Sequence, residues 1–300
     1  MPKYSACWIR KNIQLKTALI QQAMLQLYCP LTETELHKHA YRAGLRGMKM
    51  QTLDKVSVFL AELIGTALLV FFGCMGCASS MGVPSTHLNI CINFGLTVMF
   101  IVQIFGCVSG SHINPAVTAA AYIYNLVTLP MAAVYFVAQM IGGFVGFGLL
   151  KAVSPAEAFF PNNSTIGLCT TMPNPQISPF QGMLVELLIT ASLIWVVCGV
   201  WDPRNAKHHD SVPIKFGLTI ASLALAAGPW TGASMNPARS FAPAIWNGNF
   251  QHHWVYWVGP MAGGILAALA YKTVFRREVP VEKELKAAEE FPLSRERNNA

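Results

Sequence analysis

The sequence predicts an all-α membrane protein with six transmembrane helices and two re-entrant half-helices, arranged as an inverted repeat. Three observations lead to this fold class. Hydrophobic residues make up 53% of the 300-residue chain and charged residues only 12%, about half the charged fraction of a soluble domain. Several apolar segments are long enough to cross a bilayer. The two halves of the chain also share short motifs at matching spacings.

The composition excludes several other classes of protein. The net charge is +7, but the basic residues form no stripe that would indicate a nucleic-acid partner. Eight cysteines are too few for a disulfide scaffold of this length. Those that lie inside apolar runs are expected to be buried thiols: Cys74, Cys77, Cys91, Cys107 and Cys198.

Six segments approach the roughly 20 mostly apolar residues that a transmembrane helix needs. They are residues 56–78, 87–105, 130–150, 183–200, 213–228 and 254–271. Two further apolar stretches, after Asn114 and after Asn236, last for only about 10 residues and are expected to be re-entrant half-helices.

The basic residues predict the orientation. Nine of the 21 lysines and arginines precede the first span and seven lie at or after Lys272, which places both termini in the cytoplasm. The third-to-fourth connection then lies outside, where Asn162 and Asn163 begin two overlapping glycosylation sequons.

An internal repeat relates the two halves of the chain. Phe94 begins FGLTV and Phe216 begins FGLTI, and each phenylalanine precedes an Asn-Pro-Ala triplet by 20 residues. The flanking sequences SGSHINPAV and TGASMNPAR also correspond, with Asn114 and Asn236 offset by 122 residues. Each half holds three spans, so the halves must have opposite orientations in the membrane, with the functional site near the midplane.

The Asn-Pro-Ala triplets predict two helix N-termini inside the membrane. Asparagine is a favoured N-cap, and proline is favoured at the first helical position. The triplets are Asn114, Pro115 and Ala116, and Asn236, Pro237 and Ala238. Amide donors and the positive ends of two helix dipoles would meet at the centre, which favours water or a hydroxyl and disfavours a cation.

With SGSHINPAVT and TGASMNPARS in register, the chain resembles the aquaporin (major intrinsic protein) family from about residue 56 to residue 271. The resemblance implies one pore per subunit and a homotetramer. It also implies a selectivity filter at Phe94, Ala224, Ala233 and Arg239. Water-selective members carry histidine where this chain has Ala224. In having a smaller side chain at this position, the chain resembles the insect entomoglyceroporin branch.

Three further residues are expected to brace the pore loops rather than to react. Glu62 and Glu186 occupy equivalent positions in the first and fourth spans, and each is expected to accept N–H groups of the backbone before a half-helix. His112 is expected to brace its own loop. Coupling of transport to protons through the two glutamates is the functional alternative.

The expected function is a passive channel for water and small uncharged solutes, glycerol and urea, that excludes protons and ions. The alternatives are a strictly water-selective channel, a proton-coupled transporter and a non-conducting structural membrane protein. No nucleophile, base and orienting residue occur together, so no enzymatic activity is expected; no cofactor and no metal are expected either. The lipid bilayer and the permeating solutes are the expected partners, together with other copies of the chain.

The expected organisation has three parts. Residues 1–54 form a cytoplasmic tail, residues 55–275 form the channel domain, and residues 276–300 form a second cytoplasmic tail. Within the channel domain the repeat halves cover about 55–152 and 180–275. The plasma membrane is the expected location.

Overall fold

The computed structural model describes residues 33–79, 83–160, 166–208 and 210–277. The chain divides into two units, Met1–Lys55 and Val56–Ala300. In the first unit, the described residues form the beginning of a long helix. The second unit contains the rest of that helix, all other described elements and the candidate site.

All regular structure in the described ranges is helical. Eight α-helices follow one another: α1 Glu33–Met75, α2 His87–Ser109, α3 Pro115–Ile123, α4 Leu129–Val153, α5 Pro179–Trp201, α6 Val212–Thr231, α7 Pro237–Asn247 and α8 Val255–Ala270. Short 3₁₀ helices lie at Ala156–Ala158 and Pro203–His208, and α8 continues into a wider π-helical turn at Tyr271–Phe275. Six of the eight helices, all but α3 and α7, are long and apolar enough to cross a membrane.

The two short helices meet end to end in the protein interior. Helix α3 has nine residues and is therefore about 14 Å long, half of what a bilayer requires. Asn114 at its start donates from Nδ2 to the Met235 carbonyl at 2.8 Å, and Asn236 donates from Nδ2 to the Ile113 carbonyl at 2.8 Å. These reciprocal hydrogen bonds join the N-termini of α3 and α7.

Helix packing repeats between the halves because glycine occupies equivalent crossings. A Cβ atom on Gly142 of α4 would lie 2.2 Å from the Leu63 carbonyl oxygen of α1. In the second half, a Cβ atom on Gly263 of α8 would lie 2.2 Å from the Leu187 carbonyl oxygen of α5. Only glycine lets the backbones approach so closely.

Large apolar side chains on the outward faces of the spanning helices account for the composition. Examples on three different helices are Leu149, Leu188 and Leu218, each more than half exposed. A soluble protein would not present such a surface, whereas lipid tails solvate it.

The expectations for three cysteines need correction. Cys74 is not a thiol: it is joined to Cys169 by a disulfide, with the two Cα atoms 5.3 Å apart. Hydropathy indicates burial but not a partner 95 residues away along the chain. Cys107 is exposed and Cys77 is only half-buried, whereas Cys91 and Cys198 are buried thiols as expected.

Some boundaries also differ from expectation. The first span, expected at residues 56–78, lies at Asp54–Met75. The helix that contains it begins earlier, at Glu33, and the hydropathy of residues 33–53 is too low for a search for spans to find this extension. The fifth span, expected to be short, extends over Val212–Thr231. The sequons at Asn162 and Asn163 lie outside the described residues.

Candidate functional site: a cavity along the bundle

A cavity of about 930 Å³ follows the length of α2 and α6. His87 at the start of α2 and Gly228 near the end of α6 line one end of it. Trp201 at the end of α5 and Val212 at the start of α6 line the other. Because antiparallel neighbours contribute residues from both of their ends, the cavity passes through the bundle.

The middle of the cavity is lined by the two asparagine caps. Asn114 Oδ1 accepts from the Ala116 N–H at 2.9 Å, and Asn236 Oδ1 accepts from the Ala238 N–H at 3.0 Å. Each side-chain NH2 group donates one of its two hydrogens to the opposite loop, and its second hydrogen remains free to donate. Both residues line the cavity, so the retained hydrogens are available to an oxygen atom that passes.

The four residues expected to form a filter all line this cavity. The Arg239 guanidinium carbon lies 5.0 Å from the centre of the Phe94 ring, within the range of a cation–π contact. Arg239 Nη1 also donates to the Cys169 carbonyl at 2.9 Å. Ala224 and Ala233 are buried in one apolar cluster. The cavity wall is therefore apolar at these two positions, while their role in selection stays a prediction.

Glu62 is fully buried and accepts hydrogen bonds from the loop before α3. Its carboxylate accepts from the backbone N–H groups of His112 at 2.8 Å and Ile113 at 2.7 Å. It also accepts from the Ser109 hydroxyl at 2.6 Å and from Gln139 Nε2 at 2.8 Å. Four donors converge on one carboxylate, which offsets the cost of burying its charge.

Glu186 repeats this arrangement before α7. It accepts from the backbone N–H groups of Ser234 at 2.9 Å and Met235 at 2.8 Å, and from the Thr231 hydroxyl at 2.6 Å. Neither glutamate lines the cavity. Both loops contain left-handed residues other than glycine, Ile113 with φ 43° and Met235 with φ 54°, a conformation that surrounding structure must hold in place.

His112 is buried at the cavity wall. Its Nδ1 lies 3.2 Å from the Thr118 hydroxyl, and its ring packs against Tyr135 with centroids 4.6 Å apart. The structure thus places His112 between its own loop and helices α3 and α4.

Sequence reasoning missed several residues that hold the loops. Tyr135 donates to the Ser109 carbonyl at 2.6 Å, and Tyr256 donates to the Thr231 carbonyl at 2.7 Å. The available signal was a second repeat, a tyrosine seven residues before a Gly-Gly pair in each half. Nothing comparable marks Gln139, since the second half has proline at the corresponding place.

Cys77 and Cys169 were missed as cavity residues as well. They lie near Arg239, in segments that connect helices, and neither belongs to a repeated motif. Among the described residues, no group of three or more histidine, cysteine or acidic side chains could hold a metal ion.

Comparison with known proteins gives a consistent result. The family model described as "Major intrinsic protein" matches residues 49–271. Among curated relatives, "Lens fiber major intrinsic protein" from Gallus gallus is 42% identical over 215 residues, covering 71% of this chain and 79% of its own length. "Aquaporin-4" from Mus musculus is 36% identical over 233 residues, covering 76% and 70% respectively.

A solved structure is also similar. The aquaglyceroporin from Plasmodium falciparum matches with a TM-score of 0.63 at 27% sequence identity. The match covers 73% of this chain and 96% of that one.

Proposed function

Because the chain belongs to the major intrinsic protein (aquaporin) family, we propose that it is a passive pore for water and small uncharged solutes, glycerol and urea, that excludes protons and ions. Members of the family are membrane channels and not enzymes, so this chain is an integral multi-pass channel protein. Which solutes cross depends on the narrowest part of the passage.

The observation that carries the solute proposal is the methyl group at position 224. Ala224 lines the same cavity as Phe94 and Arg239, at the position where water-selective members of the family carry a histidine. An alanine leaves more width and removes one polar contact. A polyol has a hydroxylated edge, which suits the arginine, and a CH edge, which suits an apolar wall.

Exclusion of charge is supported by the middle of the cavity. Helices α3 and α7 direct their N-termini at each other, and each contributes about half a positive charge there. The buried guanidinium of Arg239 adds a full charge. A cation therefore meets a repulsive barrier, while a water oxygen is stabilised by the amide donors.

Proton-coupled transport is less well supported than passive flow. Coupling would require Glu62 or Glu186 to exchange protons with the passage. Both carboxylates instead accept from backbone N–H groups, which can only donate. Protonation of Glu62 would displace one of its four donors, because each of its oxygens already accepts two hydrogen bonds. Neither glutamate lines the cavity. A non-conducting structural role is disfavoured by a cavity that reaches both ends of the bundle.

A strictly water-selective channel is the second candidate function. It is favoured by four residues typical of water-selective members: Ser240, Ala244, Tyr256 and Trp257. Tyr256 donates a hydrogen bond to the Thr231 carbonyl at the end of α6, and the Ser240 hydroxyl is hydrogen-bonded to the Ser234 hydroxyl. We rank Ala224 above these residues because it lines the cavity and they do not.

The wider assignment follows the charge distribution and the family. We propose that residues 55–275 form the channel domain, with cytoplasmic tails at 1–54 and 276–300. We further propose a homotetramer in the plasma membrane with both chain termini in the cytoplasm.

Proton exclusion is tested with purified protein in liposomes that contain a pH-sensitive dye. Water flux should exceed that of empty liposomes. A pH gradient should decay at the same rate as in empty liposomes, and solute flux should be the same with and without the gradient. Solute uptake that follows the pH gradient would establish the coupled transporter instead. Absence of any flux would establish the structural role.

A further inference from the structure

Three cysteines come together at the end of the cavity that holds Arg239. Cys74 lies in the last turn of α1 and is disulfide-bonded to Cys169, in the connection between α4 and α5. Cys77, just beyond α1, is a free thiol. Its sulfur lies 3.7 Å from the sulfur of Cys169, so a third thiol contacts one sulfur of the disulfide.

This cluster is connected directly to the proposed filter. The Cys169 carbonyl accepts the hydrogen bond from Arg239 Nη1 at 2.9 Å. Cys169 also has a left-handed backbone, with φ 61°, which a residue other than glycine keeps only when its surroundings hold it there. The position of the Arg239 guanidinium therefore depends on what anchors Cys169.

We propose that Cys74, Cys77 and Cys169 form a thiol–disulfide exchange site in the wall of the pore. In the exchange, the Cys77 thiol loses its proton to water and the thiolate attacks the Cys169 sulfur. The Cys77–Cys169 bond forms as the Cys74–Cys169 bond breaks. The electron pair leaves with Cys74, which takes up a proton. One disulfide and one thiol exist before and after, so no oxidant or reductant is consumed.

The surroundings of Cys77 determine the rate of this exchange. Burial raises the pKa of the Cys77 thiol to about 11 and the nearby Cys91 thiol adds to the rise, while the positive charge of Arg239 opposes it. The thiol is thus mostly protonated at neutral pH, and exchange is slow but accelerates as the pH rises. Because Cys77 lines the cavity, water can reach it to remove the proton.

Exchange moves the anchor of Cys169 along the chain, from the last turn of α1 to the segment beyond it. The residues on either side cannot follow freely, since Asn247 Nδ2 donates to the Leu168 carbonyl and to the Thr170 hydroxyl, both at 2.9 Å. The structural change that accompanies exchange therefore occurs mainly at Cys169 and at the hydrogen bond between its carbonyl and Arg239. The two disulfide states should differ in flux through the pore, whichever solute the pore selects.

Linkage mapping tests the proposal because Met75 separates Cys74 from Cys77. Full-length protein is held at about pH 9 or about pH 6, its free thiols are alkylated, and cyanogen bromide cleaves it after methionine. Residues 51–75 carry Cys74, residues 76–81 carry Cys77, and residues 141–172 carry Cys169. Mass spectrometry then shows which pair is joined.

The proposal predicts that the unchanged protein contains both the Cys74–Cys169 and the Cys77–Cys169 linkages. The fraction with the Cys77–Cys169 linkage should increase at the higher pH. Cys77→Ser should show only the Cys74–Cys169 linkage. Cys74→Ser, whose two remaining thiols are first oxidised with oxidised glutathione, should show only the Cys77–Cys169 linkage. Cys107→Ser, which removes an exposed thiol, should retain both linkages. Two results together would overturn the exchange. Cys77 and Cys169 would both be alkylated in Cys74→Ser, and the unchanged protein would show a single linkage at either pH.

The effect on the pore is measured by water flux through liposomes that contain Cys74→Ser or Cys77→Ser, which trap the two disulfide states. Different flux is expected, and equal flux would overturn the connection to Arg239. Mapping does not depend on what the pore conducts, so its result is separate from the test of the proposed function.

Discussion

At the scale of single residues, we expect selection to depend on Ala224 and the geometry of the pore loops to depend on Glu62 and Glu186. Ala224 places a methyl group in the wall of the cavity that Phe94 and Arg239 also line. Glu62 and Glu186 lie behind the wall and hold the loops that present the asparagine caps. We expect Ala224 to determine which solutes pass, and we expect Glu62 and Glu186 to keep the loops in the conformation that forms the passage.

Replacing Ala224 with histidine should sharply reduce glycerol and urea flux and should largely spare water, because the imidazole takes up space in the passage that Arg239 also lines and adds a polar contact. The measurement is solute uptake by liposomes that contain the variant. Ala226→His is the matched control, since Ala226 lies on the same helix but is exposed on its outer side. Equal glycerol flux in Ala224→His and in the unchanged protein would contradict the assignment.

Replacing Glu186 with glutamine should lower the free energy of unfolding by about 1–3 kcal/mol, because the amide cannot accept from both Ser234 and Met235 as the carboxylate does. Thermal unfolding in detergent measures this. Glu157→Gln removes an exposed carboxylate and should leave the midpoint unchanged. An unaltered midpoint in Glu186→Gln, together with lost pH dependence of transport, would favour the proton-coupled alternative.

At the scale of helices, the fold depends on close crossings within each half and on a contact at the cytoplasmic end of α5 in the proposed orientation. Gly142 and Gly263 bring α4 against α1 and α8 against α5. Asp202 accepts from Arg204 Nη2 at 2.6 Å, and the same guanidinium nitrogen donates to the Phe275 carbonyl at 2.8 Å. This second contact connects the end of α5 to the end of the last span.

Gly142→Ala should destabilise the protein by about 1–3 kcal/mol, because the added Cβ atom would lie 2.2 Å from the Leu63 carbonyl oxygen. The matched control is Gly106→Ala, whose nearest neighbour would be a Val102 methyl group at an ordinary 3.7 Å. That change should be neutral or stabilising by up to about 1 kcal/mol, since alanine favours helix. The comparison uses thermal unfolding, and equal effects of the two changes would show that the crossing is not tight.

Asp202 should make stability depend on acidic pH. Hydrogen bonds from Arg204 hold the pKa of the Asp202 carboxyl below its usual range. A depressed pKa in the folded state means that the stabilisation is fully present above the unfolded pKa of about 3.9 and is lost as the pH falls toward the folded pKa. The unfolding midpoints of the unchanged protein and of Asp202→Asn should differ at neutral pH and converge in acid. A constant difference would contradict this.

At the scale of the whole molecule, most of the fold followed from the sequence because it depends on local patterns. Apolar length predicted six spans, and the paired Asn-Pro-Ala triplets predicted α3 and α7. The disulfide of Cys74 with Cys169 and the bond from Gln139 to Glu62 could not be predicted. These contacts depend on which loop or helix lies opposite in space, and neither is duplicated in the other half of the repeat.

The most direct test of the central claim compares water, glycerol and urea flux in liposomes that contain the purified, unchanged protein. Stopped-flow light scattering should show water-driven shrinkage, and reswelling driven by glycerol and by urea, that are faster than in empty liposomes, because the proposed filter has the methyl group of Ala224 in place of an imidazole. Fast water flux with glycerol and urea uptake no greater than in empty liposomes would contradict the claim and would establish a strictly water-selective channel.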